Sequence, residues 1–174
     1  MRILVVAALL FSSPASAGDT GSALSAQAAE ILKDAFARQV AGDPLGAAGT
    51  GEKAAWLAPN DPAIRTSSAY LRFMAGQPKV ALEESRLALA LVKRPKAELM
   101  LVMAMAFYGL GDAKRGLAAL KRAARDDKRL ERLILLAVKG PQPDFSLAIM
   151  EESTARINPA YSNVLAQRFG RKAK

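Results

Sequence analysis

The sequence has no cysteine and no histidine in its 174 residues. Without cysteine no disulfide can hold the chain together, so its stability must come from the burial of apolar surface. The absence of both residue types excludes an ordinary structural or catalytic zinc site, and it excludes haem attachment through a C-x-x-C-H motif. Without histidine there is no Ser-His-Asp or Cys-His arrangement, and no imidazole can act as an acid or a base.

The catalytic groups that remain are carboxylates, lysine and tyrosine. Adjacent acids occur in three places, Glu83-Glu84, Asp126-Asp127 and Glu151-Glu152. Neighbouring residues on a helix point about 100° apart, so such a pair does not converge on one substrate atom. An enzyme that uses carboxylates or lysine is therefore unsupported, and the sequence predicts a non-enzymatic protein without a cofactor or a metal.

The amino-terminal segment MRILVVAALLFSSPASA has the three parts of a secretory signal peptide. Arg2 supplies the positive charge, Ile3 to Phe11 form an apolar core, and small residues stand at positions 15 and 17. The apolar run is shorter than the roughly 20 residues that a membrane-spanning helix needs. We therefore expect residues 1–17 to be removed by cleavage after Ala17, which predicts a protein that is soluble in the bacterial periplasm or secreted.

The rest of the chain carries helix signals. Alanine and leucine dominate, and no window shows sustained apolar-polar alternation with β-branched residues. Helix-start signals recur at Gly42-Asp43-Pro44, Asn60-Asp61-Pro62, Gly76-Gln77-Pro78, Gly111-Asp112 and Asn158-Pro159. Asp or Asn can cap a first turn and Pro suits the first helical position, so these signals divide the chain into helices of about a dozen residues. Residues 18–27 are polar and small, and we expect them to form a flexible lead-in.

The spacing of these signals is regular. Gly42 and Gly76 are 34 residues apart, and Gly76 and Gly111 are 35 residues apart. Small residues recur seven positions before each glycine and five and twelve positions after it: Ala35, Ala69, Ala104, Ala47, Ala81, Gly116, Ala54, Ala88 and Ala123. Small residues at fixed points allow the two helices of a hairpin to approach closely. A period of this length indicates an internal repeat.

The glycines around Gly111 also raise the question of a phosphate-binding loop. A P-loop requires Gly-x-x-x-x-Gly-Lys-Ser/Thr, but Gly116 is followed by Leu117 and Ala118. The preceding residues have a helical and not a strand pattern, and the glycine spacing of a dinucleotide-binding loop is missing as well. We interpret this segment as the turn between two packed helices.

The repeat resembles the tetratricopeptide repeat family, whose helix-turn-helix unit has about 34 residues. The match is best in residues 96–128, where Ala104, Phe107, Gly111 and Gly116 stand at the family's small, aromatic, turn and packing positions. The resemblance implies an all-α, right-handed superhelical solenoid of antiparallel helix pairs, with about three to four repeats and a closing helix. We expect a single domain over residues 28–174, with units at 28–61, 62–95 and 96–128, a degenerate unit at 129–158 and the closing helix at 159–170.

The first two units depart from the family at one position. Where the family has a large aromatic residue, four positions before the turn glycine, these units have Arg38 and Arg72. Their aromatic residues, Phe36 and Tyr70, lie two positions earlier. Either the first helices of these units are rotated or their turns are longer than in the family.

The resemblance further implies an extended concave face, lined by the first helix of each unit, that commonly holds a peptide or a partner's helix. Carried over by position, the candidate groove residues are Leu32, Phe36, Gln39, Tyr70, Phe73, Met74, Leu101, Met105 and Tyr108. Aromatic residues and methionine suit a groove for an apolar or amphipathic segment. The alternative interpretation is that these residues belong to the hydrophobic core.

The net charge of +9 is unevenly placed along the chain. A candidate basic surface consists of Lys114, Lys121, Arg125, Lys128 and Arg132. Because the repeat pattern ends a helix near Asp126, we expect this stripe to cross two helices. Its simplest interpretation is a solvated convex face, and the functional alternative is a surface that binds anionic lipid, an acidic partner or an anionic glycan. Nucleic acid is a less expected ligand, because the chain carries an export signal and its basic and aromatic residues do not interleave.

These patterns together predict a non-enzymatic periplasmic adaptor or scaffold that binds a protein segment in an envelope assembly. The alternative hypothesis is a basic surface binder of anionic lipid or glycan that uses the solenoid as its scaffold. The sequence leaves the identity of the partner and the oligomeric state open.

Overall fold

The computed structural model of the protein describes residues 17–140 and 142–161. All regular secondary structure in these two ranges is helical. The α-helices are α1 (Ala17–Val40), α2 (Pro44–Leu57), α3 (Pro62–Met74), α4 (Pro78–Ala90), α5 (Ala97–Gly109), α6 (Ala113–Ala123), α7 (Glu131–Val138) and α8 (Pro143–Ile157). Two short 3₁₀ turns, Ala124–Asp126 and Lys128–Leu130, connect α6 to α7. None of the helices in the described ranges has the length and apolar character required to span a membrane.

Helices α2, α3, α4 and α6 begin where the sequence signals predict. Asp43 accepts a hydrogen bond from the backbone N–H of Gly46 at 2.8 Å, and Asp112 accepts one from that of Arg115 at 2.9 Å. Asp61 caps α3 in the same way. These carboxylates satisfy first-turn amides that have no partner within their own helix. Proline also occupies the first turn of α2, α3, α4 and α8, where its missing N–H leaves no backbone hydrogen bond unmade.

The turns inside the three hairpins have the same geometry. Gly42, Gly76 and Gly111 adopt φ values of 88°, 74° and 77°, in the left-handed region that only glycine enters at no cost. In each turn the amide after the glycine donates to the carbonyl five residues before it, over 3.0, 3.0 and 2.9 Å. This hydrogen bond ends the first helix of the hairpin in a Schellman motif, and the chain then continues into the second helix. The turns of the first two units are therefore no longer than that of the third.

The arginines that stand in place of the family's aromatic residue in these two units pair with acids close by. The guanidinium of Arg72, on α3, lies 2.6 Å from the carboxylate of Glu52 on α2. Arg38 lies 2.9 Å from Asp34, one turn earlier on α1, and 3.7 Å from the cap residue Asp43. The side chain of Arg38 is 48 % exposed and that of Arg72 only 16 % exposed, yet the turns that follow them have the same geometry.

The helices pack as three hairpins, α1 with α2, α3 with α4 and α5 with α6, and each hairpin stacks on the next. The first helices α1, α3 and α5 also lie side by side. The small residues that mark the period are at these contacts: Ala35, Ala69, Ala104, Ala47, Ala81, Ala54 and Ala88 all have no exposed surface. Close approach of the helices at these points is the physical reason for the repeat.

Residues 18–27 differ from the flexible lead-in that we expected, because they belong to the first turns of α1. This segment contains no proline, so nothing in it prevents α1 from extending back to Ala17, although its two glycines and three hydroxyl residues are weak helix formers. Residues 1–16 lie outside the described ranges, and cleavage after Ala17 stays a prediction.

The carboxyl-terminal part of the chain, predicted as a degenerate unit at 129–158, forms the short helix α7 and the longer helix α8. Helix α7 packs on α6, whereas α8 packs on both α7 and α5. After α8, Asn158 accepts hydrogen bonds from the N–H groups of Ala160 at 3.0 Å and Tyr161 at 3.4 Å, which starts another helical turn. The remainder of the predicted closing helix, residues 162–170, lies outside the described ranges.

Candidate functional site

The predicted groove residues occupy equivalent positions on α1, α3 and α5. Phe36, Tyr70 and Met105 each lie six residues before their turn glycine, and Gln39 and Tyr108 share a second position with Phe73, three residues before it. Leu32 and Leu101 share a third position, and Met74 lies two residues before its glycine. We call the face formed by these nine residues the concave face. Because their positions repeat with the hairpin period, stacking of the hairpins brings them onto one side of the molecule.

The concave face is not open. Tyr70 and Leu101 have no exposed surface, Met105 is 1 % exposed, and Leu32 and Phe36 are each 5 % exposed. Gln39, Phe73, Met74 and Tyr108 are half-buried. Five of the nine residues are thus buried and four are half-buried, and another element of the same chain lies against this face. The binding of an external peptide by these residues stays a prediction.

Helix α8 is the element that lies on this face. Near its beginning, the ring of Phe145 meets the ring of Tyr108 edge to face, with 4.7 Å between the centroids. Near its end, the hydroxyl of Tyr70 donates to the Oγ1 of Thr154 at 2.8 Å. The residue after the helix, Asn158, donates from Nδ2 to the Oε1 of Gln39 at 2.7 Å. Helix α8 therefore runs from the third hairpin back to the first across the concave face.

The polar contacts at the far end of α8 form one continuous chain of hydrogen bonds. Asn158 donates to Gln39, the Nε2 of Gln39 donates to the Oη of Tyr70 at 2.8 Å, and Tyr70 donates to Thr154. Each of the three residues that donate here meets an acceptor, so the network connects α1, α3 and α8. Burial raises the pKa of the Tyr70 phenol, because desolvation disfavours the phenolate more than the two hydrogen bonds favour it.

Two other hydroxyls at this interface have no such partner. The Oη of Tyr108 and the Oγ of Ser153 are buried and make no hydrogen bond to any described residue. Burial also raises the pKa of Tyr108. A buried hydroxyl without a partner costs about 1–3 kcal/mol relative to one that is satisfied. Helix α8 therefore fits the concave face with good apolar contacts but incomplete polar ones.

An ion pair holds α8 from its other side. The Nη1 of Arg156 lies 2.6 Å from the Oδ2 of Asp127, in the connection between α6 and α7, and its Nε pairs with Glu152. The hydrogen bond from Arg156 lowers the pKa of the Asp127 carboxyl below its ordinary value, although partial burial opposes the shift. The contact is partly exposed, so its contribution to stability is modest.

The predicted basic surface is exposed along its whole length. Lys114 and Lys121 lie on α6, Arg125 and Lys128 in the 3₁₀ turns, and Arg132 on α7, so the stripe crosses helices as the repeat pattern predicts. None of the five forms an ion pair with a described side chain.

An apolar pair on α7 stands beside this surface and was not predicted. Leu135 and Val138 are 67 % and 65 % exposed, and they lie on the side of α7 opposite the buried Leu133 and Ala137.

The sequence reasoning also missed the contact residues of α8. Phe145, Ile149 and Ser153 are buried at a spacing of four residues, which is the pattern of one helix face. That pattern predicts a buried stripe, but it does not say which surface covers it. Asn158 was interpreted only as a helix cap, and its second role, as donor to Gln39, depends on residues 119 positions apart. The described residues contain no group of acids that could hold a metal ion.

Comparison with known proteins supports the fold alone. No protein-family model matches the sequence, and no curated protein matches it. Among solved structures, the chain is similar to the tetratricopeptide repeat domain of Sgt2 from Aspergillus fumigatus, with a TM-score of 0.52 and 16 % sequence identity, over 78 % of this chain and 82 % of that chain. This similarity, together with the stacked helix pairs, confirms the predicted all-α solenoid of the tetratricopeptide repeat type.

Proposed function

We propose that this tetratricopeptide-repeat-like solenoid is a non-enzymatic interaction scaffold whose concave face binds a helical segment of a partner protein. The observation that carries the proposal is that the face already holds a helix. Helix α8 lies on it with an aromatic contact at Tyr108 and a chain of hydrogen bonds through Tyr70 and Gln39. A surface that accommodates one amphipathic helix has the shape and chemistry to accommodate another.

The place of action that we propose is the bacterial envelope. Its support is the signal-peptide pattern of residues 1–17. The test is to express the full chain in a Gram-negative bacterium, separate the periplasmic fraction and measure the intact mass of the protein. We expect a species that begins at Gly18. An unprocessed chain in the cytoplasmic fraction would remove the envelope from the proposal and leave the scaffold function to be tested separately.

A second candidate function is the binding of an anionic lipid or glycan by the basic surface. A specific observation favours keeping it: the exposed apolar side chains Leu135 and Val138 stand on α7 next to the exposed Arg132. Cationic and apolar side chains on one helix face are the combination that binds an anionic membrane surface. The fold itself is typical of protein interaction, so this candidate ranks second.

The experiment that separates the two functions is capture from an envelope extract by three immobilised proteins. They are the wild type, Met74→Glu on the concave face, and the double variant Lys121→Glu, Arg125→Glu on the basic surface. A protein partner of the concave face should be retained at high salt by the wild type and the basic-surface variant but lost with Met74→Glu, because apolar burial is not screened. Retention that disappears at high salt and with the double variant would move the function to the basic surface.

A further inference from the structure

We propose that α8 is an exchangeable occupant of the concave face, and that the external ligand is an amphipathic helix that makes the same contacts and displaces it. This inference rests on the proposed function and adds its regulation: the chain blocks its own binding face until a better-fitting helix competes. Three features of the described residues support it, namely the connection that leads into α8, the unpaired hydroxyls beneath it and the chemistry of its contacts.

The connection separates α8 from the rest of the solenoid. Helix α7 ends at Val138, Gly140 adopts a φ of 97°, and α8 begins at Pro143. The sequence between them contains Pro141 as well, so α7 and α8 cannot merge into one helix. Apart from this connection, α8 is held by packing on α5 and α7, by the ion pair with Asp127, and by hydrogen bonds that reach Gln39 on α1 and Tyr70 on α3. Its release would break no backbone hydrogen bond of the three hairpins.

The fit of α8 on the concave face is incomplete. The helices of the three hairpins meet at alanines with no exposed surface, and the ring of Tyr108 also lies against Gly116 of α6, so its hydroxyl stands where α8 and the third hairpin meet. Both buried hydroxyls that lack a partner among the described residues, those of Tyr108 and Ser153, belong to α8 or to the residue it covers. Each lowers the free energy gained when α8 docks. A ligand helix that offers an acceptor to Tyr108 and an apolar group in place of Ser153 would bind better than α8.

The contacts define the ligand. The ring of Tyr108 makes an edge-to-face contact with an aromatic residue, the O–H of Tyr70 donates to a hydroxyl oxygen, and the Oε1 of Gln39 accepts from an amide. The partners in α8 and just after it are Phe145, Thr154 nine residues later and Asn158 four residues after that, in the same order. The expected ligand is therefore an amphipathic helix of about four turns with an aromatic residue near one end and a hydroxyl and an amide near the other.

Tethering makes α8 a strong competitor despite its imperfect fit. A short linker holds a segment at an effective concentration in the millimolar range, so a free helix of equal intrinsic affinity binds poorly. The apparent affinity of the free helix falls in proportion to the fraction of molecules in which α8 is released. Weakening the contacts of α8 alone should therefore strengthen the binding of an added helix, although the concave face itself is unchanged.

The test uses the purified full chain and a fluorescein-labelled synthetic peptide with the sequence of residues 142–161. The variants Phe145→Ala and Thr154→Val weaken α8, and Leu147→Ala, at a side chain that is 59 % exposed on the same helix, is the matched control. Fluorescence anisotropy should show at least tenfold tighter peptide binding by the two variants than by the wild type. Leu147→Ala should bind as the wild type does.

The outcomes separate this inference from the proposed function. Equal peptide affinity in all four proteins would overturn the exchange of α8, while a helix would still bind the concave face. No binding in any of them would also overturn it, and the capture experiment with Met74→Glu would then decide the proposed function by itself.

Hydrogen exchange of the wild-type chain keeps the inference testable if a variant unfolds. Amides of α8 should exchange through a local opening, at least tenfold faster than those of α3 and α5. Exchange of α8 only together with α3 and α5 would show that it is an inseparable part of the fold, and this would overturn the proposal.

Discussion

At the scale of single residues, the hydroxyls of Tyr70 and Tyr108 offer a matched comparison. Both belong to the concave face and both contact α8, but Tyr70 bonds to Gln39 and Thr154 whereas the Tyr108 hydroxyl has no partner among the described residues. We expect Tyr70→Phe to lower the free energy of unfolding by about 1–3 kcal/mol, because it leaves buried groups of Gln39 and Thr154 unpaired. Tyr108→Phe should leave it unchanged or raise it, because the variant removes a polar atom that is unsatisfied already. Urea denaturation followed by circular dichroism measures both.

Equal losses of stability in Tyr70→Phe and Tyr108→Phe would contradict this prediction. They would mean that the Tyr108 hydroxyl finds a partner in solution, such as an ordered water. In that case the incomplete fit of α8 would lose one of its two supports.

The glycines of α2 provide a second matched pair. A Cβ at Gly49 would meet no atom within 4 Å, whereas a Cβ at Gly51 would lie 2.7 Å from Cδ1 of the fully buried Leu71 and 3.6 Å from the Cα of Ser68. Gly49→Ala should therefore raise the free energy of unfolding by about 0.5–1 kcal/mol through helix propensity. Gly51→Ala should lower it by about 1–3 kcal/mol, because the contact of α2 with α3 is overpacked. Chemical denaturation of both variants measures the sign of each change in the free energy of unfolding. A Gly51→Ala protein as stable as Gly49→Ala would contradict the prediction and would mean that Leu71 repacks without cost.

At the scale of the elements, the helix boundaries and the hairpins could be predicted from the sequence because they depend on local chemistry. A left-handed turn requires glycine at Gly42, Gly76 and Gly111, and a first turn favours a carboxylate such as Asp43 or Asp112. Close helix contacts require small residues at a constant distance from those turns. These requirements repeat with the period of the hairpin, so they leave a signal in a single sequence.

The position of α8 could not be predicted in the same way. Its buried face, with Phe145, Ile149 and Ser153, is compatible with any apolar surface of the solenoid. The contacts that fix it, from Thr154 to Tyr70 and from Asn158 to Gln39, join residues 84 and 119 positions apart and occur once in the chain. A contact that does not repeat gives no periodic signal. The candidate residues could thus be listed by position, but the helix that contacts Gln39, Tyr70 and Tyr108 could not.

The shared geometry of the turns leads to a prediction for the hairpin as an element. Gly76, in the middle unit, adopts a φ of 74°, where a Cβ is strained although no atom lies within 4 Å of it. Gly76→Ala should lower the free energy of unfolding by about 1–2 kcal/mol. Gly76→Asn should lower it by less, because asparagine enters the left-handed region more readily than alanine. Thermal unfolding of the two variants measures the order, and an alanine variant at least as stable as the asparagine variant would contradict it.

At the scale of the whole molecule, the absence of histidine and cysteine fixes the shape of the pH dependence. No side chain with an ordinary pKa between about 5 and 8 is present, so the free energy of unfolding should be nearly constant across that range. The groups whose titration changes the free energy of unfolding have pKa values outside this pH range. Asp112 and Asp127 have lowered pKa values in the folded protein, first because of hydrogen bonds from Arg115 and Arg156 respectively.

The direction of each pKa shift determines how the free energy of unfolding changes at acidic and at alkaline pH. A carboxyl with a lowered folded pKa stabilises the protein above its unfolded value of about 3.9, and this contribution is lost as the pH falls through the lower folded value. Burial raises the pKa of the Tyr70 and Tyr108 phenols, so these groups affect the stability in the opposite sense. Their contribution is complete below the unfolded value of about 10 and is lost as the pH rises through the folded pKa.

We therefore expect a plateau of stability at neutral pH, with an acid limb that steepens below about pH 4 and an alkaline limb that begins near pH 10. Urea denaturation from pH 2 to pH 11 would trace it. Asp127→Asn should lower the plateau, because the ion pair of α8 with Arg156 is lost, and it should make the acid limb shallower. Tyr70→Phe should make the alkaline limb shallower and leave the acid limb as it is. An inflection between pH 5 and 8, or an acid limb that does not change in Asp127→Asn, would show that other groups control the stability of the solenoid.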